Sequence, residues 1–321
     1  MRRRNSSFLV CALALLMLLL LTIPSVGCGS GGNDGNGSAA SVVLAAQLPN
    51  DWTETQRSTA LDAAVSTIEH RLNAYGVAHY VVEKQDTDRI LAEVTSVSDV
   101  EVVAKLISQT GYLEFREFEL KGSSVATLSD YVSDTGTGFF DASVSGSRMF
   151  CVSASQDPVA ILKLSDNGTR IYTDKDGNDI TDSISALSTA DKSAQCWMPA
   201  TGVLNGVRMP LTGAYLESAK SQANTNSPSG VMWVVVIEFS NDGWDLFDQI
   251  AAHLYGKTIP QNELGIFLDN ALISAPTVNA SSYTTAVISG NFDAESSQLL
   301  AIQLSSGALP VPLKVVSVTT S

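Results

Sequence analysis

Apolar and polar positions alternate along this chain in two rhythms. A short apolar run over residues 41–48 reads as a strand. Over 53–75 the residues Leu61, Ala64, Val65, Ile68, Leu72 and Tyr75 recur at helical spacing, and Gly76 stands where such a helix stops. Residues 77–83 and 89–94 predict two strands joined through Asp86-Thr87-Asp88. Ser98-Asp99-Val100-Glu101 predicts a capping box, in which the Ser98 hydroxyl and the Glu101 carboxylate satisfy free amides of a helix that ends near Gly111. A strand over 112–118 follows.

The order β-α-β-β-α-β in 42–120 is that of a ferredoxin-like unit, two helices on one face of a four-stranded sheet. The other sheet face is then left to solvent, another lobe or a partner. The pattern weakens over 121–207, which predicts an irregular insertion, folded as small hairpins around Cys151 and Cys196 or partly mobile. Order returns with a buried strand over 231–239 and a helix over 241–255 that turns Trp244, Phe247, Ile250, Ala251 and Leu254 inward. Strands 264–268 and 271–274 flank Asp269-Asn270, a two-residue hairpin turn. A strand over 284–289, a helix capped by Asp293 and stopped at Gly307, and a last strand over 313–318 complete a second α+β lobe at 208–319. The predicted class is α+β in two lobes.

The N-terminus adds a membrane. Arg2-Arg3-Arg4 precedes an apolar run from Phe8 to Ile23 and then Pro24-Ser25-Val26-Gly27-Cys28, so 1–27 reads as an export signal with Cys28 as its lipidation site. Ser25 stands where a Leu is usual, and an uncleaved single membrane anchor or cleavage to a free protein are the other readings. Residues 28–41 form a Gly/Ser tether that spans on the order of 20 Å as a coil. Three of the 19 basic residues lie in 1–27, which leaves 16 against 33 acidic ones. That balance argues against nucleic acid or anionic lipid as a partner. With Cys11 in the signal and Cys28 at its end, Cys151 and Cys196 are the remaining pair, read as a disulfide or as two buried thiols.

Candidate chemistry is sparse. Asp269 reads as a turn residue that accepts local amides rather than a catalytic acid. Ser274 has no His beside it in the sequence to activate it. Residues 174–182 resemble a calcium loop, but the Gly sits fourth rather than sixth and no Glu closes it, so a hairpin turn is the reading. His70, His79 and His253 lack metal-ligand spacing, and the Gly-rich stretch lies in the tether rather than at a phosphate loop. No catalytic, cofactor or metal site is expected. Tyr112, Trp197, Tyr215 and Tyr283 are candidate aromatic contacts, each more often core than contact.

Two groups of motifs carry a resemblance. Residues 264–276, with Asp269 and the run Ile273-Ser274-Ala275-Pro276, precede Ile288-Ser289-Gly290 and then Gly307-Ala308-Leu309-Pro310. Upstream stand residues 67–77 and Thr110-Gly111-Tyr112-Leu113-Glu114-Phe115-Arg116. Together they resemble the large extracytoplasmic domain of SecD, a membrane subunit that assists protein export, and Leu211-Thr212-Gly213 fits the start of its head. The resemblance implies a base and a head, and a head that contacts translocating polypeptide and hinges. Members of the family continue into membrane helices that carry a proton-coupling acid. This chain stops at Ser321, so no proton-driven motion of its own is expected.

The expected function is that of a non-enzymatic module, lipid-anchored at the extracytoplasmic face of the bacterial cell membrane, that binds unfolded or emerging polypeptide beside the export channel. The alternative is a structural envelope lipoprotein that binds one folded partner.

Overall fold

The computed structural model describes residues 38–132, 148–153, 156–165, 167–225 and 231–320. The signal, Cys28 and most of the tether lie outside them. Strand β1 (Ser38–Ala46) begins inside the stretch expected to be tether. It is followed by α1 (Glu54–Tyr75), β2 (His79–Lys84), β3 (Arg89–Val97), α2 (Val100–Ser108) and β4 (Leu113–Phe118). Then come β5 (Leu120–Lys121), β6 (Ser124–Val125), α3 (Leu128–Val132), β7 (Met149–Val152), β8 (Pro158–Leu164), β9 (Arg170–Thr173) and α4 (Thr189–Lys192). The chain continues through β10 (Gln195–Pro199), β11 (Thr201–Leu204), β12 (Val207–Pro210), β13 (Leu216–Asn224), β14 (Met232–Phe239) and α5 (Asn241–Leu254). It closes with β15 (Leu264–Leu268), β16 (Ala271–Ser274), β17 (Ala286–Phe292), α6 (Ala294–Ser305) and β18 (Leu313–Thr320).

Helix α1 starts at Thr53, whose hydroxyl accepts the Gln56 amide while Gln56 reaches back to the Thr53 amide, and it ends on Gly76 at φ +94°. In α2 the cap is Asp99, not Ser98. Its carboxylate accepts the amides of both Glu101 and Val102, an arrangement that a hydroxyl one residue earlier does not reach.

The first sheet runs β18-β1-β3-β2, antiparallel throughout. The expected helix and strand order is present, but the sixth element does not complete this sheet. Burial explains why. Five of the six residues of β4 are buried, so β4 needs cover on both faces, whereas β18 buries little beyond Leu313 and suits an edge. The final strand therefore belongs to the first lobe rather than the second, and Leu309, Val311 and Leu313 enter the core that α1, α2 and the sheet build around Leu44, Ile68, Leu72 and Ile90.

Strand β4 instead lies inside a seven-stranded sheet, β16-β15-β4-β10-β7-β8-β9. The segment expected to be irregular supplies β10, β7, β8 and β9, four of those strands. Cys196 lies opposite Cys151 on neighbouring β10 and β7, and the two are joined by a disulfide. Arg116 of β4 is fully buried in this sheet, its guanidinium 3.5 Å over the Phe150 ring and bonded to Glu114 at 2.9 Å.

The remaining three-stranded sheet, β13-β14-β17, packs with α5 and α6 around Val235, Ile237, Leu246, Ile250 and Ile288. The same core takes in Leu113, Phe115, Leu264 and Ile266 from the larger sheet. Among the described residues no helix is long and apolar enough to cross a membrane.

Candidate functional site

Arg71 sits in the buried stripe of α1, between Ile68 and Leu72, and is itself fully buried. A guanidinium in such a place is stable only if its donors are met. Arg71 Nη1 donates to the carbonyls of Leu106 at 2.9 Å and Gln109, and Nη2 to those of Thr110 at 3.0 Å and Gly307 at 3.1 Å. The Leu106 carbonyl is one that the end of α2 leaves open, and the other three follow the ends of α2 and α6. Burial lowers the Arg71 pKa from the ordinary guanidinium range to about 10, with the Asp269 charge opposing the shift, so Arg71 is charged at neutral pH.

Asp269 and Asn270 both adopt left-handed geometry, φ +50° and +73°, as a two-residue hairpin turn requires. The carboxylate does not serve the turn itself. It accepts the amides of Gly111 at 3.0 Å and Tyr112 at 2.8 Å, more than 150 residues away in sequence, and the Asp269 amide donates to the Tyr112 carbonyl at 3.0 Å. Gly111 has φ +74°, and a Cβ there would stand 2.8 Å from Arg71 Nη2. The Leu309 amide reaches the Thr110 carbonyl at 2.7 Å, and the Phe115 amide reaches that of Leu211 at 3.1 Å.

Residues 110–112, 211–213, 269 and 307–309 thus converge where the two lobes cross. A cleft of about 340 Å³ lies beside them, lined by Gly111, Tyr112, Gly213, Leu304 and Ala308. The arrangement holds chain segments in register. The Ser305 hydroxyl at its rim is committed to the Ala219 carbonyl at 2.8 Å.

The other motif residues lie apart from this junction. Ile273 and Ser274 close β16, and the Pro276 carbonyl accepts the Leu264 amide at 3.0 Å. Ile288 is core, and a Cβ at Gly290 would stand 3.0 Å from the Phe292 ring. Asp174 accepts the amides of Asp176 and Asn178 and the Asn178 side chain, an ordinary turn. Among the described residues no group of three or more acidic, His or Cys side chains could hold a metal ion.

A second, more apolar cleft of about 310 Å³ opens between β15 and β17, walled by Phe115, Ile237, Phe247, Ile266, Val278 and Tyr283. Tyr283 shapes its mouth. The phenol oxygen accepts the amides of Asn279 at 3.0 Å and Ala280 at 3.1 Å, and the Tyr283 amide donates to Asp248 at 3.2 Å. Of the four candidate aromatics, Trp197 is core at 3% exposure, Tyr215 is half-buried, Tyr112 is 41% exposed at the lobe junction and Tyr283 lines this cleft. Five separate segments build the cleft, so no local pattern marks it.

Residues 197–311 match the family model described as SecDF, P1 head subdomain, and residues 61–119 match that of the P1 domain, N-terminal, of protein translocase subunit SecDF. The two matches together cover more than half of the chain. Protein translocase subunit SecD of Synechocystis sp. is 28% identical over 262 residues, 80% of this chain and 48% of the relative. That of Elusimicrobium minutum is 26% identical over 274 residues, 85% and 49%. That of Streptomyces coelicolor is 40% identical over 109 residues, 34% and 19%. The chain spans about half the length of the first two relatives. A crystal structure of SecDF in its super-membrane-facing form has a similar fold, with a TM-score of 0.53 and 23% identity over 89% of this chain and 30% of that one.

Proposed function

This chain belongs to the SecD family, whose P1 domain it carries, and from that we propose that it assists protein export by holding emerging polypeptide at the extracytoplasmic face of the membrane. The apolar cleft between β15 and β17 carries the reading. It is lined by aromatic and aliphatic side chains, all but Phe115 in the segment that matches the P1 head. Attachment is through lipid on Cys28 or through the apolar run of residues 8–23 left in place. The export channel and its membrane subunits are the neighbours beside which it works. Binding is weak and sequence-tolerant.

Photocrosslinkers placed at Tyr283 and Tyr112 of the full chain, in vesicles holding a stalled export intermediate, test this. The expected result is a crosslink from Tyr283 to the unfolded client, stronger than from Tyr112. No crosslink above background from either position overturns the reading.

A second reading, an envelope protein that binds one folded partner, is favoured by the β18-β1-β3-β2 sheet, where among the described residues Val81 is 54% exposed. A pull-down separates the two: one stoichiometric folded protein supports this second reading, and many unfolded clients support the first.

A further inference from the structure

Strand edges in the second lobe are treated unequally. At β13 the Ser305 hydroxyl accepts the Ala219 amide at 3.0 Å and donates to the Ala219 carbonyl at 2.8 Å, in the manner of a neighbouring strand. At β11 the Gln249 amide group does the same for Val203, at 2.8 and 3.1 Å. Strand β17 is the other edge of the β13-β14-β17 sheet; β16 comes close to it, but among the described residues no hydrogen bond covers the outward amide and carbonyl of Val287. The ladder says which groups it offers. Ala219 turns its N–H and C=O outward, so Ile237 opposite it turns its own toward β17, where it faces Ala286. Val287, the next residue, therefore points its amide and carbonyl away from the sheet, and it is 42% exposed.

The apolar cleft opens at this same place, with Thr285, Ala286 and Val287 in its wall. A strand laid along β17 places every second side chain on the side where the cleft lies. At about 310 Å³ the cleft is at the small end of ligand pockets and suits one bulky side chain. One carboxylate stands beside its mouth, that of Asp248, which accepts the Tyr283 amide, and no Lys or Arg lines the cleft among the described residues.

We infer that β17 is a docking edge for a single extended polypeptide segment, which adds as a strand, seats one large apolar side chain in the cleft, and carries Lys or Arg beside it. Backbone pairing supplies tolerance of sequence, and the cleft with the Asp248 carboxylate beside it supplies preference. The inference rests on the reading that the chain holds unfolded polypeptide, and names where and how.

The test uses the full chain and a labelled heptapeptide with a central Phe, β-branched neighbours and Lys at both ends, read by fluorescence anisotropy. Three companion peptides replace Phe by Ser, Lys by Glu, or N-methylate the central amides. Each is expected to bind at least tenfold more weakly, and hydrogen exchange is expected to slow at residues 286–292. Val287→Pro removes an outward amide that the β14 ladder does not use, a change that edge strands tolerate, and is expected to abolish binding, whereas Val287→Thr retains it. Should the proline variant not fold, the N-methylated peptide decides the same point.

Equal binding of all four peptides, or protection away from β17, overturns the inference. A reduced, alkylated unfolded protein is the parallel probe. If the chain binds it while the peptides do not discriminate, the edge-strand inference falls and the export reading stands. If it binds neither, both fall.

Discussion

Arg71 and Asp269 do at single positions what the two lobes need in order to stay joined. One supplies donors to four carbonyls and the other accepts two amides, and both act on the stretch from Gln109 to Tyr112. Asp269→Asn keeps the shape but leaves one oxygen where two amides now have two. The change is expected to cost about 1 kcal/mol, because one of the two amides, in a part-buried to exposed setting, loses its acceptor. Urea unfolding checks this, and a midpoint equal to that of the parent removes the role assigned to Asp269. Sequence reading located Asp269 in its turn and its left-handed geometry, and missed its partners, since nothing local relates positions 111 and 269. Arg71 was more accessible to inference. It follows Ile68 by three and precedes Tyr75 by four, which is the spacing of the buried stripe, and a charge there calls for a buried set of acceptors.

Elements with a long period were legible, as α1, α5, α6 and the β15–β16 hairpin illustrate. Those that depend on partners far away were not. Strand β4 reads as the next strand of its own lobe, and only burial on both faces moves it to the larger sheet. Strands β7 and β9 have four residues each, too few to display an alternation, and so the segment around them looks irregular. The disulfide pins β7 to β10 there. It closes a separation of 45 residues, which in the chain-entropy model corresponds to roughly 4 kcal/mol as an upper figure. Replacing both Cys151 and Cys196 by Ala is expected to lower the melting temperature and to speed amide exchange in β7, β8 and β9 more than in β15. Unchanged melting would show that the buried cluster of Met149, Leu162, Tyr172 and Ile184 holds this part without the crosslink.

The molecule as a whole is closed by its last strand. Strand β18 lies beside β1, on which β3 and then β2 are built, so the first lobe is complete only when the chain has passed through the second and returned. Ending the chain after Pro312 removes Leu313 and Val315 from the first core and leaves β1 with one neighbour. Hydrogen exchange is then expected to rise across β1, β2 and β3 while α5 and β14 keep their protection. Uniform loss of protection in both lobes would instead mean that they unfold as one unit. Ala40 pairs with Thr320, and the ladder runs from there toward Ala46 and Leu313. A mechanical load that draws Ser38 and Thr320 apart therefore falls on the bonds one after another from the open end, as in a zipper, rather than on all of them together. Peeling of this kind takes little force, so modest tension between the two strand ends would release β18 before it disturbed either helix pair.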